Sequence, residues 1–331
     1  MLKYFLVLLK CIFIIIFLVT CKKPDQTYYT INQVRAVGVV VQTSALSTGA
    51  NNFQSTSSQQ FPIRPNCSAG STEFDIVVIS PTNEIPTLTI NNLKLLPIGN
   101  YYLASGGGSR GLPNGTNGTS IAMTNIFTSA TATPTTVFTS PYRLTVFKYI
   151  VDCANIGTNL SNSFTQISDI PAFQLSYTVS SGTSSDQGFY TFYTLPDNND
   201  SFWNTSPVNV TLSSNKISSL TTGLAITNNP IQFSSISPAA NSVLNGNSSS
   251  SISVGVTIPS VPFPRDPNNT NFQAKTRIQW YVTNGSLSLD TSSSTDWNPE
   301  SNAGTTVGGF VVVRDLLGGV DFKVFGPFTT Q

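Results

Sequence analysis

Histidine is absent from all 331 residues, and that absence removes more chemistry than any residue present supplies. Without an imidazole there is no Ser-His-Asp or Cys-His nucleophile, no HExxH metalloprotease, no His-ligated zinc and no haem held by histidine. Carboxylate, lysine, tyrosine and cysteine chemistry remain. Charge is scarce as well: Asp, Glu, Lys and Arg make up 9% of the chain, against about 25% in an average soluble protein. No basic stripe exists to neutralise phosphates, which excludes nucleic acid as a partner. Helical periodicity is missing too. No span of a dozen residues places apolar side chains at i, i+3, i+4 and i+7 free of Pro, Gly or β-branched clusters.

What the chain does have begins with an apolar run from Tyr4 to Val19, preceded by Lys3, interrupted only by the charge of Lys10, and closed by Leu18-Val19-Thr20-Cys21 and then Lys22-Lys23-Pro24. That order resembles a bacterial lipoprotein signal of the looser, spirochaete-like kind, with Leu18 three residues before the cysteine and Thr20 where Gly, Ala or Ser is commoner. The resemblance implies removal of residues 1–20 and attachment of acyl chains, palmitate among them, at Cys21. It also implies a membrane partner through those chains and, with no Asp after Cys21, an outer-membrane or cell-surface location. Two alternatives stand beside it. As an uncleaved anchor, Tyr4–Thr20 only reaches the roughly 17 residues a spanning helix needs, and Lys10 inside it costs roughly 2–3 kcal/mol. As an ordinary secretory signal, the segment lacks a small-x-small site before Cys21.

Removing 20 of 331 residues leaves 311, with 14 Lys and Arg facing 15 Asp and Glu once Lys3 and Lys10 are gone. At about 150 residues per domain this suggests two domains. Of the four cysteines, Cys11 leaves with the signal and Cys21 would carry lipid, so Cys67 and Cys153 remain as a pair. In an oxidising compartment they would form a disulfide closing a loop of about 87 residues, worth at most roughly 4 kcal/mol; the alternative is two buried free thiols.

Strand signals recur down the chain. Residues 21–29 read as a tether, and Val34–Val41 as a strand buried on both faces at its end. Residues 44–60, rich in Ser, Thr, Asn and Gln, read as a flexible loop. Strands are expected at Phe74–Ile79, Thr87–Ile90, Ile121–Phe127, Thr136–Thr139, Tyr142–Val151, Phe173–Val179, Phe189–Tyr193 and Val208–Leu212, with Leu93–Leu103 an apolar patch broken by Pro97 and Gly99. Alternation is cleanest near the end: Ile252, Val254, Val256 and Ile258 point inward, as do Ile278, Trp280 and Val282. Phe310–Asp315 and Val320–Phe325 flank a Gly318-Gly319 hairpin signal. The fold class expected is all-β: a β-rich, sandwich-like domain over 30–225 followed by an immunoglobulin-like sandwich over 229–331.

Ile278–Gly285, Thr295-Asp296-Trp297-Asn298-Pro299 and Val313-Arg314-Asp315 with Gly318-Gly319-Val320-Asp321 resemble the Ig-like or PKD-like modules of bacterial surface lipoproteins. The resemblance covers about a third of the chain. It implies a core tryptophan on the third strand, here Trp280 packed on aliphatics alone because no cysteine pair spans the sandwich. It implies no particular activity. Residues 22–228 resemble no family.

The remaining motifs are weak. Gly106-x-Gly108-x-x-Gly111 matches a dinucleotide fingerprint as a string, but Leu112–Thr119 cannot form the helix that would hold a pyrophosphate, so it reads as an exposed loop. Asp197–Ser201 offers oxygens for Ca²⁺ without the Gly and bidentate Glu of an EF-hand, and reads as a polar turn. Asp290, Asp296, Glu300, Asp315 and Asp321 would make a metal site only if they converged at one end of the sandwich; otherwise they solubilise. No cofactor is expected. Trp203 beside Phe202, with Tyr101-Tyr102, would suit a stacking platform for a glycan, or else close a sandwich core. Asp75, Asp152 and Asp169 lie beside strands with no partner acid in sequence. Three functions follow: a non-catalytic structural or adhesive envelope lipoprotein whose partner is a host protein or glycan; a carbohydrate-binding or nutrient-capture lipoprotein; and a carboxylate-dependent glycoside hydrolase.

Overall fold

The computed structural model describes residues 29–42, 73–95, 101–103, 109–110, 121–123, 127, 133–150, 155, 164–167, 172–182, 184–193, 209–210, 231–258, 276–315 and 320–331. Among the described residues every named element is a strand. The first part of the chain gives β1 (Arg35–Gln42), β2 (Glu73–Ser80), β3 (Thr87–Leu95), β4 (Tyr101–Leu103), β5 (Ser109–Arg110), β6 (Ile121–Met123), β7 (Thr133–Phe138), β8 (Arg143–Ile150), β9 (Phe164–Ile167), β10 (Ala172–Ser181), β11 (Ser184–Tyr193) and β12 (Asn209–Val210). The remainder gives β13 (Gln232–Ser237), β14 (Val243–Leu244), β15 (Ser250–Thr257), β16 (Thr276–Val282), β17 (Ser286–Leu287), β18 (Ser294–Asn298), β19 (Thr306–Asp315) and β20 (Val320–Thr330).

The C-terminal strands form two four-stranded sheets, β13-β15-β18-β17 and β14-β20-β19-β16. Lettered in chain order, with β14 as A′, these are A-B-E-D and A′-G-F-C, the immunoglobulin arrangement. β14 runs parallel to β20 while the other pairings are antiparallel. The inward residues are those the alternation marks: Ile252, Val254, Trp280 and Val282 are buried. One expectation fails. Trp280 does not rest on aliphatics alone, because its ring meets Phe325 edge-on at 5.3 Å and Trp297 meets the same ring at 5.9 Å. Phe325 and Phe328, both on β20, supply the aromatic surface on which the tryptophans pack.

The N-terminal strands repeat the order. Sheets β1-β2-β8-β7 and β11-β10-β3-β6 again read A-B-E-D and G-F-C with β6 beside C. A third sheet, β12-β9-β4-β5, is built from segments lying between or after those strands. Pro134 sits in β7, an edge strand, where a missing N–H leaves no ladder position empty. Ser109–Arg110 lies inside the stretch expected as an exposed loop, but pairs with Tyr101–Tyr102 as a hairpin. Residues 44–60 and 316–319 lie outside the described residues.

The two sandwiches stack face to face. Phe74 points toward Tyr190 of the partner sheet, their rings 6.5 Å apart, so Phe74, Ile76 and Val78 face the N-terminal core and Val77 and Ile79 face away. Yet no residue from Phe74 to Ser80 is more than 3% exposed. What covers the second face is the C-terminal sheet. A Cβ placed on Gly38, the register partner of Val77, would stand 3.4 Å from Val320. Phe310, Val312, Val320 and Phe322 belong to the same buried cluster as Val40, Val77, Leu144 and Val146. β19 is therefore apolar on both faces: Val311 enters the C-terminal core and Phe310 and Val312 enter the shared one. The contiguous Phe310-Val311-Val312-Val313 run is the sequence form of that double burial.

The chain enters this stack through the seam. Val282 exchanges two backbone bonds with the segment ahead of β1: Ile31 N donates to Val282 O, and Val282 N to Tyr29 O, both at 2.8 Å. Tyr29 packs in the C-terminal core and Ile31 in the shared one.

Candidate functional site

The residues expected to carry function distribute unevenly. Cys21, Cys67, Cys153, Phe202, Trp203, Asp152, Asp169 and Asp197–Ser201 lie outside the described residues. Tyr101 and Tyr102 lie in β4, paired with Arg110 and Ser109 on one side and Ile167 and Gln166 on the other.

Four of the described carboxylates are committed to structure. Asp321 is buried and accepts from the backbone N–H of Phe233 at 2.7 Å and of Phe322 at 2.8 Å, tying β13 to β20. Asp290 accepts from Gln279 Nε2 at 2.9 Å, and Glu300 from Ser286 Oγ at 2.8 Å. Asp186 accepts from the N–H groups of Ala36 and Gln187, each at 2.9 Å. Among the described residues no group of three or more Asp, Glu, Cys or His residues is placed to hold a metal. Asp75 is fully buried in β2, where its register neighbours are Val40 and Lys148; no carboxylate stands across from it in the ladder.

Two arrangements were not legible in the sequence. The first is a polar corner at the seam. Arg314 reaches across to donate to the Val37 carbonyl; Ser184 Oγ accepts from Val34 N–H at 3.2 Å; and Tyr142 donates its hydroxyl to the Gly309 carbonyl at 2.9 Å. Burial raises the Tyr142 pKa well above that of an ordinary phenol. Tyr177, buried in the same cluster, is raised by desolvation as well, with Arg314 pulling the other way. A side chain in place of Gly188 would collide with the Tyr177 ring. Of these groups only Arg314 carried a signal in sequence, as the arginine of the Val313-Arg314-Asp315 stretch that resembles Ig-like or PKD-like modules.

The second is the outer face of β11-β10-β3. Its rows read Ser185-Ser180-Thr87, Gln187-Thr178-Thr89, Phe189-Ser176-Asn92 and Thr191-Gln174-Lys94. Asn91 Nδ2 donates to Thr178 Oγ1 at 2.8 Å and Thr87 Oγ1 to Ser180 O at 3.2 Å. Phe189 projects from it, 64% exposed. The face offers hydroxyls, amides and one ring, with Lys94 its single charge.

No family model and no curated protein matches the chain. Among solved structures it is similar to the titin domains Z1Z2 in complex with telethonin (10% identity over 78% of this chain and 87% of that one, TM-score 0.21). It is also similar to the tandem Ig repeats of Dlar (8% identity, 78% and 88% covered, TM-score 0.24). The Ig-like assignment made above stands on strand order and pairing within this chain.

Proposed function

We propose that this protein is a non-catalytic envelope lipoprotein, acylated at Cys21, whose two stacked sandwiches form a structural or adhesive body held close to an outer membrane. The observation that carries the reading is the burial of a residue close in sequence to Cys21. Tyr29, already buried, stands eight residues after Cys21, so a fully extended tether spans at most about 26–29 Å. Such a body is held near the membrane surface rather than projected on a stalk. The commitment of Asp186, Asp290, Glu300 and Asp321 to hydrogen bonds that pin the fold, together with a sequence free of histidine, supports the non-catalytic part. Binding is assigned to exposed surface, of which the neutral hydroxyl-rich face around Phe189 is one part.

Metabolic labelling with an alkyne fatty acid tests the anchor: label is expected on the wild-type chain and absent from Cys21→Ser. Label retained by Cys21→Ser, or absent from both, would sink the lipoprotein reading. Protease shaving of intact cells tests the adhesive part, which requires loss of the C-terminal sandwich signal.

A further inference from the structure

The segment ahead of β1 is bonded at its two ends to different sandwiches. At one end Tyr29 and Ile31 bracket Val282 of β16 through two 2.8 Å backbone bonds, with Tyr29 inserted in the C-terminal core. Five residues on, Val34 N–H donates to Ser184 Oγ and Ala36 N–H to Asp186, both on β11 of the N-terminal sandwich. Arg314 returns the contact, from β19 to the carbonyl of Val37. Tyr29, Ile31 and Val34 are each 5% exposed or less, so this is packed structure rather than a surface linker. It also covers part of an edge: Val282 N–H is taken by Tyr29 O, two residues along β16 from Trp280, whose N–H is taken by Asp290 O.

We propose that residues 29–36 are a strap that holds the two sandwiches face to face, and that its release lets the seam between them open. The faces it keeps together are apolar, with Phe310, Val312 and Phe322 on one side and Val40, Val77 and Val146 on the other. Opening would therefore expose surface that is otherwise dry, and the strap is the stretch of chain nearest the tether. The inference does not depend on Cys21 being acylated.

Hydroxyl-radical footprinting of the full chain tests it. Ile31→Pro removes the N–H that Val282 O accepts; Ile31→Val keeps it. In Ile31→Pro, oxidation of the seam tyrosines Tyr142 and Tyr281 is expected to rise about fivefold, the population change that follows from one average hydrogen bond. Oxidation of Trp297, deep in the C-terminal core, should stay at the wild-type level, and Ile31→Val should match wild type throughout. Unchanged seam labelling in Ile31→Pro would make the strap a passive edge and overturn the proposal. A Trp297 rise equal to that at the seam would overturn it too, because the C-terminal sandwich itself would then have opened.

Discussion

Tyr142 shows how a single residue ties stability to pH. Its hydroxyl is buried and donates to the Gly309 carbonyl at 2.9 Å across the seam; ionisation would remove the donated proton and leave a charge in apolar surroundings. The folded-state pKa is accordingly raised. A group raised in the folded state contributes stability that is fully present below its unfolded pKa, about 10 for tyrosine, and is lost as pH climbs toward the folded value, because the unfolded chain releases the proton first. Stability should therefore fall above about pH 10, by up to about 1.4 kcal/mol per pH unit for each such tyrosine. Urea midpoints at pH 9 and pH 11 check this: Tyr142→Phe should lower the midpoint at pH 9 and flatten the decline between the two. An undiminished slope in that variant would mean Tyr142 is not the group responsible.

At the scale of the element, β20 does the most. Its inward Phe325 is edge-on to both Trp280 and Trp297 and lies 6.2 Å from Phe328, so one ring links both tryptophans and Phe328 in the C-terminal core. Phe325→Ala should cost about 3–5 kcal/mol, a large part of the roughly 5–15 kcal/mol that holds a typical native protein together. Guanidinium titration followed by tryptophan emission would report it as a lower midpoint, and a loss under about 1 kcal/mol would show that the neighbours collapse into the space. Elements of this kind were largely legible in the sequence. β15 alternates cleanly because it has one wet face, and period two follows from that; β16 alternates in sequence although its Tyr281 is buried in the shared layer. β19 does not alternate because it has no wet face, and its run of Phe310–Val313 reads as a strand without revealing what lies on either side. The immunoglobulin order of the first sandwich was not legible. Thirty residues separate β1 from β2, and three of the four strands of the third sheet fall between β3 and β10, so the spacing that betrays the second sandwich is broken in the first. The candidate site was harder still. Asp321, which looked like a metal or solubilising acid, is buried against backbone N–H groups, and that choice is made by the packing of β13 against β20 from the opposite sheet, which no local pattern encodes.

At the scale of the whole molecule, two sandwiches with separate sheets share one buried layer. Tandem modules joined by a linker unfold independently; modules that bury each other's faces do not, since separating them exposes Phe310, Val312, Val320 and Phe322. Calorimetry of the full chain should therefore show one transition with calorimetric and van't Hoff enthalpies in agreement. Two resolved peaks would indicate that the shared layer couples the sandwiches only weakly.

The pairing of Tyr29 with Val282 also sets a clock. A chain made from its N-terminus delivers Tyr29 about 250 residues before the strand that receives it, and closing a loop of that length costs roughly 5 kcal/mol of chain entropy before any contact repays it. Long-range pairings of this sort are slow to form. The N-terminal segment thus stays unseated until nearly everything else has been synthesised and folded. For a chain acylated at Cys21, that delay is the interval in which membrane enzymes can reach the cysteine, and the seating of Tyr29 brings it to a close.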